Sequence, residues 1–169
     1  NIDVVPIIGN VVSFECIEAL MRNYTPDIVF HAAAYKHVPL VEDNPEEAVN
    51  TNIRGTQNVA LLAAKYKVSR FLLVSTDKAV NPTNIMGATK RAAEITCQIL
   101  AEDYPLTKYM VVRFGNVLGS SGSVIPLFKQ QIESGGPVTV TDREVIRYFM
   151  AISEACQLVM LAAAIGDGG

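Results

Sequence analysis

The sequence predicts an α/β fold in which a doubly wound parallel sheet is covered by helices on both faces. Continuous apolar runs of strand length alternate along the chain with longer segments of helical periodicity. Uninterrupted apolar runs are typical of strands that are buried on both faces. Because 50% of the 169 residues are hydrophobic, the chain can bury one ordinary core, and we expect a single domain over residues 1–169.

The first elements are predicted to form a strand–helix–strand unit. Val4–Ile8 is apolar and is followed by Gly9 and Asn10, which indicates a strand that ends in a turn. Ser13 is a suitable N-cap for the helix after it. A Thr-Pro-Asp sequence at 25–27 ends that helix before a second apolar strand over Ile28–Ala33.

The rest of the chain continues the alternation of strands and helices. Predicted helices cover about Pro45–Tyr66, Asn84–Asp103, Pro126–Glu133 and Ser153–Ile165, and predicted strands cover Arg70–Ser75 and Tyr109–Phe114. The polar loop Gly119–Ser123 follows the last strand. Loops at the carboxyl ends of strands bind ligands in folds of this class.

Composition argues against several classes of function. A net charge of −3 and the lack of any basic run argue against a nucleic-acid-binding protein, which needs clustered Lys and Arg. The longest apolar stretch, Leu158–Ile165, is less than half of the ~20 residues of a membrane span. We therefore expect a soluble segment of a cytoplasmic protein, with membrane contact only through segments outside these residues.

The cysteines and histidines do not predict a metal or disulfide site. Cys16, Cys97 and Cys156 lie far apart in apolar patterns, which favours reduced thiols. His31 and His37 have no acidic or cysteine partner at ligand spacing, so we expect no metal and interpret both as local structure.

A glycine-rich cofactor loop is missing from the sequence. No G-x-G-x-x-G follows a predicted strand, although a Rossmann-type sheet carries that motif in its first strand–helix turn. We therefore expect that two strands and a helix precede Asn1. On this interpretation the chain is a fragment that binds cofactor poorly and is itself inactive.

The segment Ser75–Lys90, STDKAVNPTNIMGATK, carries the most specific chemical signal. Short-chain dehydrogenases place a Tyr and a Lys one helical turn apart so that the Lys lowers the pKa of the phenol. Here Met86 and Lys90 keep that spacing, and a methionine has no proton to transfer. Acid and base groups are therefore expected in the loop after the strand, at Thr76, Asp77 and Lys78.

Together these motifs resemble the nucleotide-sugar 4,6-dehydratases of bacterial polysaccharide biosynthesis, CapD-type members of the extended short-chain dehydrogenase/reductase family. The segments that carry the resemblance are HAAAYKHVPLVEDNP from His31, NTNIRGTQNV from Asn50, STDKAVNPTNIMGATKR from Ser75, RFGNVLGSSGSVIPLF from Arg113 and REVIRYFM from Arg143. They cover nearly the whole chain. The methionine at 86 resembles the long, membrane-anchored dehydratases.

The resemblance implies dehydration of UDP-N-acetylglucosamine, a UDP-linked amino sugar, with bound NAD or NADP; NAD is favoured. Carbon 4 is oxidised, the ketone acidifies the hydrogen on carbon 5, water leaves across carbons 5 and 6, and the hydride returns to carbon 6. Lys78 is implied as the base, Asp77 as the acid and Thr76 as the partner of the carbon 4 hydroxyl. These roles require a lowered pKa for Lys78 and a pKa of Asp77 raised by desolvation.

The resemblance also implies contacts with cofactor and substrate. On the cofactor side, Lys90 is expected at the nicotinamide ribose, Asn52 is expected to order water, and small residues are expected to admit the dinucleotide. The implied cofactor-binding residues are Asn10, Ala32, Ala33, Asn52, Ser75 and Lys90. The implied substrate-binding residues are Asn116, the turn formed by Val124, Ile125 and Pro126, and Arg147, whose guanidinium suits a diphosphate.

Two alternatives are kept beside the dehydratase. A UDP-sugar 4-epimerase shares the oxidation at carbon 4 but returns the hydride there and releases no water. A binding or assembly module would pair an exposed sheet edge with a second copy to form a homo-oligomer. Arg54, Arg91 and Arg143 are interpreted as solvated charges, and Tyr35 and Lys36 are expected beside the cleft.

Overall fold

The computed structural model describes residues 2–120, 124–140 and 142–168. Its main sheet has three parallel strands in the order β1, β2, β3, which span Ile28–His31, Arg70–Thr76 and Lys108–Phe114. Two short parallel strands, β4 (Asn116–Val117) and β5 (Phe149–Met150), form a second sheet. The predicted parallel α/β fold is confirmed.

Helices connect the strands and cover the main sheet. They are α1 (Phe14–Tyr24), α2 (Val38–Asp43), α3 (Pro45–Ala48), α4 (Thr56–Lys65), α5 (Ile85–Asp103), α6 (Val124–Glu133) and α7 (Ile152–Ile165). A π-helical segment, Val49–Gly55, joins α3 to α4, and a 3₁₀ turn, Asp77–Ala79, follows β2. Among the helices within the described residues, none has the length and apolar character needed to cross a membrane.

Both faces of β2 are buried, as its apolar sequence predicts. Phe71 and Leu73 pack in the core beneath α1, α4 and α5, and Leu72 packs on the other face with Ala163 of α7. All three β2 side chains are fully buried. Successive side chains of a strand point to opposite faces, so helices on both sides are needed to bury them.

The predicted strand over Val4–Ile8 is wrong. Residues 2–10 have no regular structure, and Val4 and Ile8 are 79% and 102% exposed. A strand needs a neighbour for its N–H and C=O groups, and within the described residues β1 pairs only with β2. Apolar composition does not supply such a neighbour.

The helices also depart from prediction in their details. The helix expected over Pro45–Tyr66 is interrupted by the π-helical segment. The helix α2 was not predicted; it has Pro39 in its first turn, where proline is tolerated. The turn expected at residues 124–126 is the start of α6. Of the predicted loop Gly119–Ser123, residues 121–123 lie outside the described residues.

Candidate active site

A cleft of about 810 Å³ opens where β1, β2 and β3 end. Its walls come from the loop after β1, from the end of β2, from the first turns of α5 and from the segment after β3. The carboxyl ends of parallel strands meet at one edge of a sheet, and folds of this class bind their ligands there. The position of the cleft therefore makes it the candidate active site.

The cleft brings together many of the predicted site residues. Those that line it are Ala32, Ser75, Thr76, Lys78, Met86, Lys90, Asn116, Val124 and Arg147. Asn10 and Ala33 instead line a smaller hollow of about 440 Å³, which shares Ala34 and Tyr35 with the cleft. Within the described residues, neither wall includes Asp77, Asn52, Ile125 or Pro126.

Thr76, Asp77 and Lys78 form one hydrogen-bonded unit at the end of β2. The Thr76 hydroxyl donates to Asp77 Oδ1 at 2.9 Å and accepts from the Lys78 N–H at 3.3 Å. Lys78 Nζ donates to the same Asp77 oxygen at 3.1 Å. The 3₁₀ turn thus holds an acid and a base side by side at the edge of the cleft.

The pKa of Asp77 shifts in the direction opposite to the one that its implied acid role requires. Burial acts to raise this pKa, but hydrogen bonds from Lys78 and Thr76 outweigh it and bring the pKa below its usual value. The Asp77 side chain is 52% exposed, so desolvation is incomplete. The expected rise in the Asp77 pKa is therefore wrong for this structure.

Lys90 and Met86 stand one turn apart on α5 and face the cleft. Lys90 is 5% exposed, and its Nζ donates to the Val74 carbonyl at 2.7 Å. Burial lowers the pKa of Lys90 to about 8. Met86 packs against Val41 and Ala48. It therefore contributes an apolar side chain at the position where short-chain dehydrogenases have a proton-transferring tyrosine.

Asn52 lies behind the cleft rather than in its wall. Its side chain is fully buried and pairs with the main chain of Tyr35, accepting from the N–H at 2.8 Å and donating to the carbonyl at 3.0 Å. It also donates to Thr89 Oγ1 at 3.0 Å. The π-helical segment thereby fixes the loop after β1 against α5.

The sequence interpretation missed Glu94, a buried carboxylate next to the cleft. Glu94 is 1% exposed and accepts hydrogen bonds from Ser75, Arg91 and Arg113. Burial alone would raise its pKa, but hydrogen bonds from Arg113, Ser75 and Arg91 outweigh burial and lower the pKa to about 2. The detectable signal was a glutamate four residues after Lys90, on the buried face of α5.

The cleft is also more cationic than expected. Arg143 and Lys36 line it, as does His37, and Arg143 does so from the exposed loop position that was predicted. Among the described residues that line the cleft, Asp142 is the one acidic side chain, beside Lys36, Lys78, Lys90, Arg143 and Arg147. Such an excess of positive charge attracts a phosphate-bearing ligand.

In the part of the chain that the structure describes, no group of three or more His, Cys, Asp and Glu side chains could hold a metal ion. The three cysteines are free thiols, and burial raises the pKa of Cys97 to about 12.

The sequence of this chain matches a known protein family over its whole length. The sequence model of the family described as "Polysaccharide biosynthesis protein" matches residues 1–169. The chain belongs to the polysaccharide biosynthesis protein family. The predicted resemblance to CapD-type members is confirmed.

The relatives of this chain are much longer than it is. It is 58% identical over 169 residues to the capsular polysaccharide biosynthesis protein CapD of Staphylococcus aureus, of which it covers 28%. It is 41% identical over 164 residues to a UDP-glucose 4-epimerase of Rickettsia canadensis, of which it covers 48%. The chain therefore spans about a quarter to a half of the length of these relatives.

Solved structures share the fold of this family member. Pen from Bacillus thuringiensis superposes with a TM-score of 0.91 at 43% identity, covering 96% of this chain and 50% of Pen. WbmG from Bordetella bronchiseptica, solved in complex with NAD and UDP, gives a TM-score of 0.81 at 25% identity, covering 95% of this chain and 54% of WbmG. Both cover almost all of the fold described above.

Proposed function

We propose that the protein carrying this chain is an NAD-dependent 4,6-dehydratase that acts on UDP-N-acetylglucosamine in polysaccharide biosynthesis. The observation that carries the proposal is the contact between Asp77 and Lys78 at the end of β2, at the same cleft that Met86 and Lys90 line. With a methionine at 86, a base is needed elsewhere, and Lys78 is the amine that the 3₁₀ turn brings to the cleft. Family membership supports the polysaccharide context.

The cleft residues fit a bound dinucleotide. Lys90 Nζ uses one hydrogen-bond donor on the Val74 carbonyl, and an ammonium has two more for ribose hydroxyls. Ala32 and Ala34 add only methyl groups to the wall after β1, which leaves room for the ligand. NAD, when bound, supplies a reversible hydride acceptor for carbon 4 of the sugar. The structure of WbmG with NAD and UDP supports this choice of ligands.

The Asp77–Lys78 pair can provide both proton transfers of an elimination. Removal of the carbon 5 proton needs a neutral amine, and protonation of the carbon 6 oxygen needs a neutral carboxyl. Transfer of one proton from Lys78 Nζ to Asp77 Oδ1, which are 3.1 Å apart, generates both groups at once. A substrate that covers the half-exposed Asp77 excludes water and favours this neutral pair over the ion pair.

The other cleft residues position the sugar nucleotide. Thr76 is the hydroxyl proposed to bind the carbon 4 hydroxyl. Arg147 and Arg143, which also line the cleft, are proposed to bind the diphosphate, since one guanidinium group can donate two parallel hydrogen bonds to phosphate oxygens. Asn116 and Val124 also line the cleft and are proposed to contact the sugar or uridine.

A second candidate, a UDP-sugar 4-epimerase, is favoured by the identity of 41% to the 4-epimerase of Rickettsia canadensis. The two reactions begin with the same oxidation at carbon 4. They differ because only the dehydratase needs an acid and a base at carbons 6 and 5, the groups that Asp77 and Lys78 would supply.

The full-length protein incubated with UDP-N-acetylglucosamine and NAD in D₂O tests this proposal. We expect a product that has lost one water and carries one deuterium at carbon 5, identified by mass spectrometry and NMR. A product of unchanged mass with inverted configuration at carbon 4 would establish the epimerase instead. Return of unmodified substrate by protein that binds NAD would overturn both.

A further inference from the structure

The Glu94 carboxylate joins three elements next to the cleft. Its Oε1 accepts from Ser75 Oγ at 2.6 Å and from Arg113 Nε at 2.8 Å. Its Oε2 accepts from Arg113 Nη2 at 2.6 Å and from Arg91 Nη1 at 2.9 Å. Ser75 and Arg113 are register partners on β2 and β3, so the carboxylate on α5 ties two strand ends to the helix that carries Lys90.

The hydrogen bond from Ser75 to Glu94 determines whether the Ser75 hydroxyl donates to a ligand or accepts from it. A serine hydroxyl has one proton and two lone pairs, and it normally rotates to donate or accept as needed. Here its proton is directed to a carboxylate that accepts hydrogen bonds and cannot donate one. Ser75 lines the cleft, so the oxygen that faces a ligand there is an acceptor.

We propose that Glu94 is a positioning residue that fixes Ser75 as a hydrogen-bond acceptor in the cleft, and that the ligand group bound at Ser75 is a donor, a hydroxyl or an amide N–H. The inference rests on the proposed function only in taking the cleft as the place of reaction. It assigns Glu94 no contact with substrate or cofactor.

A carboxylate suits this task better than an amide of the same shape. If glutamine replaced Glu94, an Nε2 at the Oε2 position would face two guanidinium N–H donors, from Arg91 and Arg113. At the Oε1 position it would face one such donor and the Ser75 hydroxyl, which can turn to accept. The second arrangement loses fewer hydrogen bonds, so it is the favoured one. In it the Ser75 oxygen accepts from the new side-chain amide and its proton turns to the cleft, so Glu94→Gln changes Ser75 from an acceptor to a donor toward the ligand.

A double-mutant cycle in the full-length protein tests the proposal. Glu94→Gln, Ser75→Ala and the double variant are compared for kcat, KM and the dissociation constants of NAD and UDP-N-acetylglucosamine. Each single change is expected to lower kcat/KM, or the affinity for the ligand bound at Ser75, by about threefold to tenfold, the effect of one hydrogen bond between neutral groups. The double variant is expected to have the same kcat/KM and affinities as the more impaired single variant, because both substitutions remove the same interaction.

Arg91→Gln is the matched control. It removes one hydrogen bond to Glu94 and leaves the Ser75 contact in place, so kcat/KM and both affinities are expected to stay within about twofold. The affected dissociation constant shows whether the donor belongs to the cofactor or to the sugar. Losses that multiply in the double variant, or a Ser75→Ala variant as active as the parent, would overturn the proposal.

Two further outcomes are decisive. If the parent protein lacks dehydratase activity, the proposed function fails, while the cycle measured on the two dissociation constants still tests the role of Glu94. If Glu94→Gln does not fold, Ser75→Cys replaces it, since a thiol has similar size but accepts hydrogen bonds weakly. We expect Ser75→Cys to lose as much as Ser75→Ala, and full retention by Ser75→Cys would contradict the acceptor role.

Discussion

Gly87, in the first turn of α5, lies directly against the main chain of Lys78. A Cβ on Gly87 would overlap the Lys78 carbonyl oxygen and come within 3.2 Å of Pro82 Cβ. The absence of a side chain at this position therefore lets the 3₁₀ turn with Asp77 and Lys78 approach the helix that carries Lys90.

The Gly87→Ala variant is predicted to displace this turn. A methyl group favours the helix by about 1 kcal/mol, but the carbonyl that it meets is backbone and cannot rotate away. We expect the free energy of unfolding to fall by about 1–3 kcal/mol in urea titrations, and kcat to fall as Lys78 moves. Ala88→Ser adds one atom at the neighbouring exposed position and should stay within about 0.5 kcal/mol of the parent. A stabilised Gly87→Ala protein would contradict the close approach.

The Asp77→Asn and Lys78→Met variants are predicted to abolish elimination while NAD still binds. Each removes one member of the pair proposed to transfer protons, and acid or base groups contribute roughly 100-fold to 10,000-fold in rate. Product formation from UDP-N-acetylglucosamine and the dissociation constant of NAD are the two measurements. Lys129→Met, at an exposed position of α6, is the control and should retain activity. Substantial dehydratase activity in both test variants would remove the proposed roles.

His31 is predicted to make stability depend on pH. It is 4% exposed, and burial, followed by the charge of Lys90, lowers its pKa from 6.5 to about 4. Above pH 6.5 the imidazole is neutral in both the folded and the unfolded chain. As pH falls from 6.5 to about 4, only the unfolded chain takes up the proton, so the free energy of unfolding should fall by about 1.4 kcal/mol per pH unit.

Urea titrations at intervals from pH 7 to pH 5 measure this slope. His31→Gln is the comparison, because it removes the titrating group while an amide can still donate to Thr56 Oγ1, the partner of His31 Nε2 at 3.0 Å. We expect a flatter profile for the variant. Equal slopes for the two proteins would show that another group sets the pH dependence.

The Asn52→Leu variant is predicted to release the loop after β1. The change leaves the part-buried N–H and carbonyl of Tyr35 without their side-chain partner, at up to about 1–3 kcal/mol for each group. Urea titration should show the loss of stability, and hydrogen exchange should show faster exchange of the Tyr35 amide. Asn50→Leu, which removes a hydrogen bond from Arg54 at the surface, is the matched control and should change stability by less than about 0.5 kcal/mol. Unchanged Tyr35 exchange in Asn52→Leu would count against this clamp.

Features whose interacting residues lie close together in the chain could be predicted from the sequence. Ser13 and Asn84 were placed as helix starts, and their side chains accept from the backbone N–H groups of Cys16 and Gly87 at 3.3 and 2.8 Å. A capping residue and its partner lie within one turn, so the sequence contains both. The same holds for the 75–90 motif, in which the strand end, the 3₁₀ turn and the start of α5 follow one another directly.

The sequence by itself determined the alternation of strands and helices and the segment that carries the proposed chemistry. Tertiary structure decided what depended on partners distant in the chain. Within the described residues, Val4–Ile8 has the composition of a strand but pairs with no other strand. The hydrogen bonds that hold Glu94 come from Ser75 and Arg113, each 19 residues away in the sequence. Periodicity records which side of an element is apolar, whereas burial and hydrogen bonding depend on which elements meet there, and that is fixed only when the chain packs.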